Sequence, residues 1–229
     1  MMHQKIDKKN KLYIYLFIFL LLSTLNNQKI IKSKLFDFNI NQVKVSGLSE
    51  KNNLLILKDI QKFILGNIFS LKKEFFLEVL KKNNLISSFE IKKIYPNTLE
   101  VKIEKTEFLG VTNVNGNYFF IGSNGKLINY NNLEKNLPYV FGKVNINKYI
   151  EFVKTVKKSN FKFNKIKEIY FFPSGRWDIK TKDDRLLKLP MENLISQLNS
   201  VEKVSKNEKF QSVKIIDLRF KNKIIITNE

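Results

Sequence analysis

Tyr95-Pro96-Asn97-Thr98-Leu99-Glu100-Val101-Lys102-Ile103-Glu104 decides the fold. Tyr95-Pro96-Asn97-Thr98 is a turn: proline fixes φ, and asparagine readily bonds its own backbone. Leu99, Val101 and Ile103 then alternate with Glu100, Lys102 and Glu104, a period of two that marks a strand with one wet face. Upstream of the turn, Phe89 and Ile91 alternate with Glu90 and Lys92, giving a second strand. Before that, Phe76, Val79 and Leu80 share one helical face, with Ser70 as N-cap and Asn83-Asn84 as the stop. Leu54, Leu57, Ile60 and Ile64 predict an earlier helix, stopped by Gly66-Asn67. Val43 to Leu48 predicts a strand ending at the Gly47 turn. The unit reads β-α-α-β-β.

Downstream of Phe108 the chain predicts short strands with hairpin signals at Asn115-Gly116 and Asn124-Gly125. Leu137-Pro138 and Phe141-Gly142 close that region. Tyr149, Ile150, Val153 and Val156 predict a helix. Ile166–Phe172, Arg176–Lys182 and Arg185–Leu189 predict three strands. Pro190 precedes a helix with Met191, Leu194, Ile195, Leu198 and Val201 on one stripe. Val213–Phe220 and Lys223–Thr227 predict two last strands joined by a tight turn near Lys221-Asn222. The fold class is α+β: a membrane helix, the β-α-α-β-β domain, and a mainly antiparallel β domain with two helices.

The membrane helix rests on the N-terminus. Lys5, Lys8, Lys9 and Lys11 precede Leu12 to Gln28, which carries no charge, and Leu12 to Leu22 has no polar face. The firmly apolar part, Leu12 to Leu25, is shorter than the ~20 residues of an ideal span, so Lys29 to Ile31 are expected to extend it. A cleaved signal peptide is the alternative, but no small-x-small site follows Ser23-Thr24-Leu25-Asn26-Asn27. Leu12, Leu16, Phe19 and Leu22 represent the anchor. The expected order is a cytoplasmic tail 1–11, a signal anchor 12–31, a linker 32–37, the first folded domain 38–106 and the β domain 107–229. A short basic tail inside and a large domain outside is the usual orientation of such a chain.

Composition removes several chemistries. The chain has 229 residues, no Cys, and one His, His3 in the tail. Disulfides, Cys-based zinc sites, thiol catalysis and His-based acid–base work are excluded from the expectation. The net charge of +20 suggests a polyanion partner, but only three of the 41 cations are Arg (Arg176, Arg185, Arg219) and there is no Ala. Lys, Asn, Ile and Phe have AT-rich codons, so codon drift accounts for much of the lysine. Where drift favours Lys, Arg persists where its planar fork is required. Asp183-Asp184 reads as a solvated turn, and no phosphate loop, HExxH or GxSxG occurs. The reading assigns no catalytic, cofactor-binding or metal-ligating residue, no small-molecule substrate and no nucleic acid.

Taken together, these segments resemble the FtsQ/DivIB cell-division family over nearly the whole chain. Val43–Gly47 resembles the start of its polypeptide-transport-associated (POTRA) domain, and Tyr95–Glu104 its W/Y-P-x-T-L-x-V-x-V-x-E segment. Gly175–Asp178 and Leu186–Pro190 resemble the middle of its β domain, and Ile216–Phe220 its terminal D-L-R-Y. Two departures stand out. Asn222-Lys223 replaces the glycine usual after D-L-R-Y, and the chain stops at Glu229, so contacts beyond the last strand are expected to be missing. The resemblance implies a non-enzymatic scaffold at the division septum. It would sit in the bacterial inner membrane by a single span, bind small bitopic FtsB-like and FtsL-like partners in the periplasm, and link other divisome components. The alternative is another POTRA-bearing membrane protein, a chaperone or translocation component; such a protein would carry further POTRA repeats or a long barrel region.

The resemblance also implies use of the terminal strand. Edge strands expose unpaired N–H and C=O groups, and a partner strand can add to them. Arg219, Phe220, Lys223, Ile224, Ile225 and Ile226 are the candidate partner-binding residues. Phe220 shares a strand side with Ile216 and Leu218, so a core role competes with a binding one. Trp177, the only Trp, reads as core.

Overall fold

The structure is a computed structural model that describes residues 8–25, 37–64, 66–129, 136–204, 213–220 and 223–228. The start of the tail, residues 26–31 of the expected anchor, residues 32–36 of the linker and the Lys221-Asn222 turn lie outside them. Helix α1 spans Lys8–Leu25 and exposes Leu12, Leu16, Phe19 and Leu22. Its uncharged part, Leu12 to Leu25, rises only ~21 Å at ~1.5 Å per residue, against ~30 Å of hydrocarbon. Among the described residues, no helix is long and apolar enough to cross a membrane.

The chain divides into two compact units, residues 1–80 with 89–103, and residues 81–88 with 104–229. In the first, strand β1 (Gln42–Ser46) lies parallel to β3 (Thr98–Lys105), with Val45 opposite Val101. Strand β2 (Ile86–Ile94) flanks β3 on its other side. Leu99, Val101 and Ile103 are buried, as their alternation requires. Gly47 closes β1 at φ +114°, and a Cβ there would fall 1.7 Å from the Ile103 carbonyl oxygen, so only glycine fits.

Helix α2 (Glu50–Gln61) and helix α3 (Lys73–Lys82) correct two expectations. The buried positions of α2 are Ile56 and Ile60, while Leu54 is 51% exposed. The stripe is rotated because Asn53 belongs to it: its amide accepts from Leu48 N at 3.1 Å and donates to Leu48 O at 3.1 Å. A satisfied asparagine is invisible to a count of apolar residues. Helix α3 buries Phe76 and Leu80, but Ser70 does not cap it; its hydroxyl donates to Asn67 O at 2.8 Å.

The second unit carries β4 (Phe108–Val114), β5 (Asn117–Gly122), β6 (Leu127–Asn129), β7 (Tyr139–Phe141), β8 (Ile166–Phe171), β9 (Trp177–Thr181), β10 (Leu186–Lys188), β11 (Ile215–Asp217) and β12 (Ile225–Thr227). Among the described residues these form one sheet in the order β12-β11-β10-β9-β8-β7-β4-β5-β6. Five of its eight pairings are antiparallel; β4 with β7, β7 with β8, and β10 with β11 are parallel. Helix α4 (Ile146–Lys158) buries Tyr149, Phe152, Val153 and Val156, and Asn145 caps it by accepting from Asn147 N and Lys148 N. Helix α5 (Leu194–Val204) buries Leu198 and Val201 in the same core. Met191 falls before α5 and is 71% exposed, because Asn193 turns the chain at φ +57° ahead of the first helical turn. Trp177 packs on Phe152 at 4.6 Å and Phe171 at 4.5 Å between ring centroids, at the margin of that core. Tyr149 donates its hydroxyl to Leu109 O at 2.9 Å, and burial pushes its phenol pKa up.

Candidate partner-binding edge

Strand β11 is held on one side by β10, with Leu187 opposite Ile216, and on the other by β12, with Ile216 opposite Ile226. Val213, Ile216 and Leu218 are buried, which fixes this segment against the core. Strand β12 pairs with β11 and ends the order of strands, so among the described residues its other side is a sheet edge. Both strands are shorter than the expected Val213–Phe220 and Lys223–Thr227.

The short β11 changes where two candidate residues stand. Arg219 and Phe220 follow the strand instead of occupying its opposite faces. Phe220 is 47% exposed while Leu218 is fully buried, so Phe220 does not share the core side. Ile225 and Ile226 are exposed on β12, Lys223 is exposed ahead of it, and Ile224 is half-buried against the core. A single rotated position thus separates the isoleucine that anchors the hairpin from the two that face outward.

Asp217 organises the corner. Its Oδ1 accepts from the Arg219 backbone N at 3.1 Å and from Nε at 2.8 Å, and its Oδ2 accepts from Nη2 at 2.5 Å. The Arg219 hydrogen bond holds the Asp217 carboxyl below the usual carboxylate range. The other two arginines follow the same rule. Arg176 grips Asp178 at 3.1 and 3.3 Å and lies 4.3 Å over the Phe172 ring; Arg185 pairs with Asp183 at 3.0 Å. Each arginine meets an aspartate two residues away. For Arg176 and Arg219 the contact is a two-nitrogen fork that lysine, a point donor, does not reproduce.

Beside this corner lies a groove of about 450 Å³, lined by Arg176, Met191, Glu192, Leu218, Arg219 and Phe220 among others. Phe220 and Met191 give it apolar rims and the two guanidiniums stiff, pre-oriented donors. The sequence signal for Met191 was present but was absorbed into the α5 stripe. The outer side of β12 leaves backbone donors and acceptors unpaired among the described residues.

Two family models match the chain. One described as "POTRA domain, FtsQ-type" covers residues 38–105, and one described as "Cell division protein FtsQ/DivIB, C-terminal" covers residues 110–219. The chain belongs to the FtsQ/DivIB family of cell-division proteins. The C-terminal match extends the likeness of this FtsQ/DivIB chain from the first unit into the β-rich second one. Its relatives include the cell division protein FtsQ of Rickettsia typhi, 27% identical over 193 residues, which are 82% of this chain and 72% of that one. The cell division protein DivIB of Staphylococcus aureus is 32% identical over 100 residues, 44% of this chain and 22% of that one. A solved extracytoplasmic domain of DivIB from Geobacillus stearothermophilus overlaps 44% of this chain and 92% of its own at 12% identity and a TM-score of 0.36, below the level of a shared overall fold.

Proposed function

We propose that this FtsQ/DivIB protein is a membrane-anchored scaffold of cell division. Residues 12–31 hold it in the bacterial inner membrane, the tail 1–11 is cytoplasmic, and a POTRA domain 38–106 and a β domain 107–229 are periplasmic at the septum. FtsB-like and FtsL-like bitopic proteins dock on the β domain and are thereby linked to other divisome components. The role is recruitment, with no catalytic step. One observation carries the reading: β12 ends the sheet with its outer side unpaired among the described residues, and exposed Ile225, Ile226 and Phe220 lie beside it. Confinement to one membrane raises the effective concentration of the partners, so a weak soluble affinity suffices.

The test measures binding of the full chain in nanodiscs to an FtsB-like periplasmic segment, alongside unfolding. Phe220 is half out in solvent, so Phe220→Thr should change stability by no more than ~0.5 kcal/mol. As a desolvated anchor in the complex its loss should weaken binding by about 2 kcal/mol, roughly thirtyfold. Deletion of Lys223–Glu229 should abolish docking. Normal binding by both variants would remove the terminal edge from the mechanism. A cytoplasm-only reporter active after Glu229 would overturn the topology.

A further inference from the structure

We propose that an aromatic stack on the first unit, Phe38–Phe69–Tyr95, is a docking surface for the anionic headgroup layer of the bilayer. The proposal rests on the anchor reading above and adds a second, reversible membrane contact to it. Phe69 lies 5.0 Å from Phe38 and 5.2 Å from Tyr95 between ring centroids, the latter pair stacked. Phe69 is 60% exposed, Tyr95 55% and the adjacent Ile94 44%.

This exposure is built, not incidental. Ile68 is fully buried, and its N–H donates to Phe38 O at 2.8 Å, pinning the loop to the segment that leads into the domain. Asn67 then fixes the next two residues: its Oδ1 accepts from Phe69 N at 2.9 Å and its carbonyl accepts from the Ser70 hydroxyl at 2.8 Å. Phe69 is therefore held outward by a rigid turn. Tyr95 is presented by the turn between β2 and β3, and Asn97 O of that turn accepts from Asn41 N at 3.0 Å. Three segments are thus tied together so that their rings converge.

Position and charge identify the occupant. Phe38 is the first residue after the linker, and 13 positions separate it from Leu25, a reach of at most ~45 Å. A patch tethered that closely to the anchor meets the same bilayer surface continually. Phe and Tyr are side chains suited to the interface, where a ring sits among headgroups. The neighbouring charges are mostly positive. Lys72 and Lys93 are exposed, and Lys93 Nζ bonds Leu71 O at 3.2 Å. Lys32 and Lys34 stand in the linker sequence, and Lys29 near the end of the expected anchor. Asp37 is the acid on the leading segment, and Lys92 neutralises Glu90 at 3.4 Å.

The chain has no cysteine, so Ile94→Cys gives one site for an environment-sensitive fluorophore beside the intact rings. The full chain is placed in nanodiscs containing anionic lipid and a headgroup-attached quencher. Quenching at position 94 is expected, with loss on Phe69→Ser/Tyr95→Ser, and partial loss on Lys72→Glu or in neutral lipid. Hydrogen exchange on the β3 amides confirms that each variant stays folded. No quenching in the parent, or equal quenching in parent and ring variant, overturns the proposal. Alkaline extraction of the same sample reads the anchor separately. A chain that resists extraction but shows no quenching loses the patch alone; a chain that is extracted loses the anchor reading.

Discussion

Gly47 and Gly66 form a matched pair that measures one contact. Both hold nearly the same backbone conformation, φ +114° and +115°, and both lie in the first unit. An alanine Cβ at Gly66 meets nothing within 4 Å. Gly66→Ala therefore reports the conformational cost alone, about 1–3 kcal/mol. At Gly47 the same Cβ falls 1.7 Å from Ile103 O and 2.7 Å from Ile103 C, both backbone atoms of the neighbouring strand. Neither can rotate away, so β1 must peel from β3. The last pairings of their register, Val45 with Val101 and Ser46 with Lys102, then open. Losing about two net backbone hydrogen bonds adds ~2 kcal/mol, and leaving the groups poorly solvated adds more. Gly47→Ala should thus cost roughly 2–4 kcal/mol beyond Gly66→Ala, a large part of the few kcal/mol that a domain of this size commands. Hydrogen exchange read by mass spectrometry on peptides covering Gln42–Ser46 and Thr98–Lys105 localises the effect within the full chain. Equal loss of protection in the two variants would show that the Gly47–Ile103 approach is not a constraint.

Three further outcomes follow from the second unit and its edge. Tyr149→Phe leaves the buried Leu109 carbonyl without its 2.9 Å donor and should lower stability by about 1–3 kcal/mol, measured by urea unfolding. Asp217 titrates lower folded than unfolded, so its contribution is fully present above about pH 4 and is lost as pH falls through the depressed folded value; Asp217→Asn should flatten that acid limb of the stability curve. Arg219→Lys keeps the charge but gives up the fork on Asp217, so the acid limb should weaken in the same direction with a smaller amplitude.

Where the sequence was legible, one physical rule acted alone. β3 shows strict alternation because one face is buried and nothing else competes there. Tyr149, Ile150, Val153 and Val156 reveal α4, and all but the half-buried Ile150 are fully buried. The α2 stripe was misread because Asn53 satisfies both its amide groups inward, so polarity no longer reported exposure. β7 was missed because three residues, Tyr139 to Phe141, are too few to show a period; its place between β4 and β8 is decided by long-range parallel pairing. At the candidate edge, Ile224-Ile225-Ile226 carry no polarity contrast, and only the structure distinguishes the half-buried first from the exposed other two. Phe220 was ambiguous for the same reason: the strand ends at Asp217, and a pattern argument carried past that end assigns faces that no longer exist.

The strand order β7-β8-β9-β10-β11-β12 follows the chain without a jump, so from β8 on each of these strands pairs with its predecessor in the sequence. Helices α4 and α5 bring the chain back for the parallel pairings of β7 with β8 and β10 with β11, and bury their apolar faces in the core as they do so. Each strand from β8 to β11 thus presents one margin to the strand before it and the other to the strand after it. The final margin is no different in kind from its predecessors, and three residue pairs hold β12 there. Among the described residues the outer side of β12 is an unpaired ladder, and no proline stands on that strand to block it. On the proposed reading, a partner segment pairing there would repeat the step by which β12 itself is held on β11.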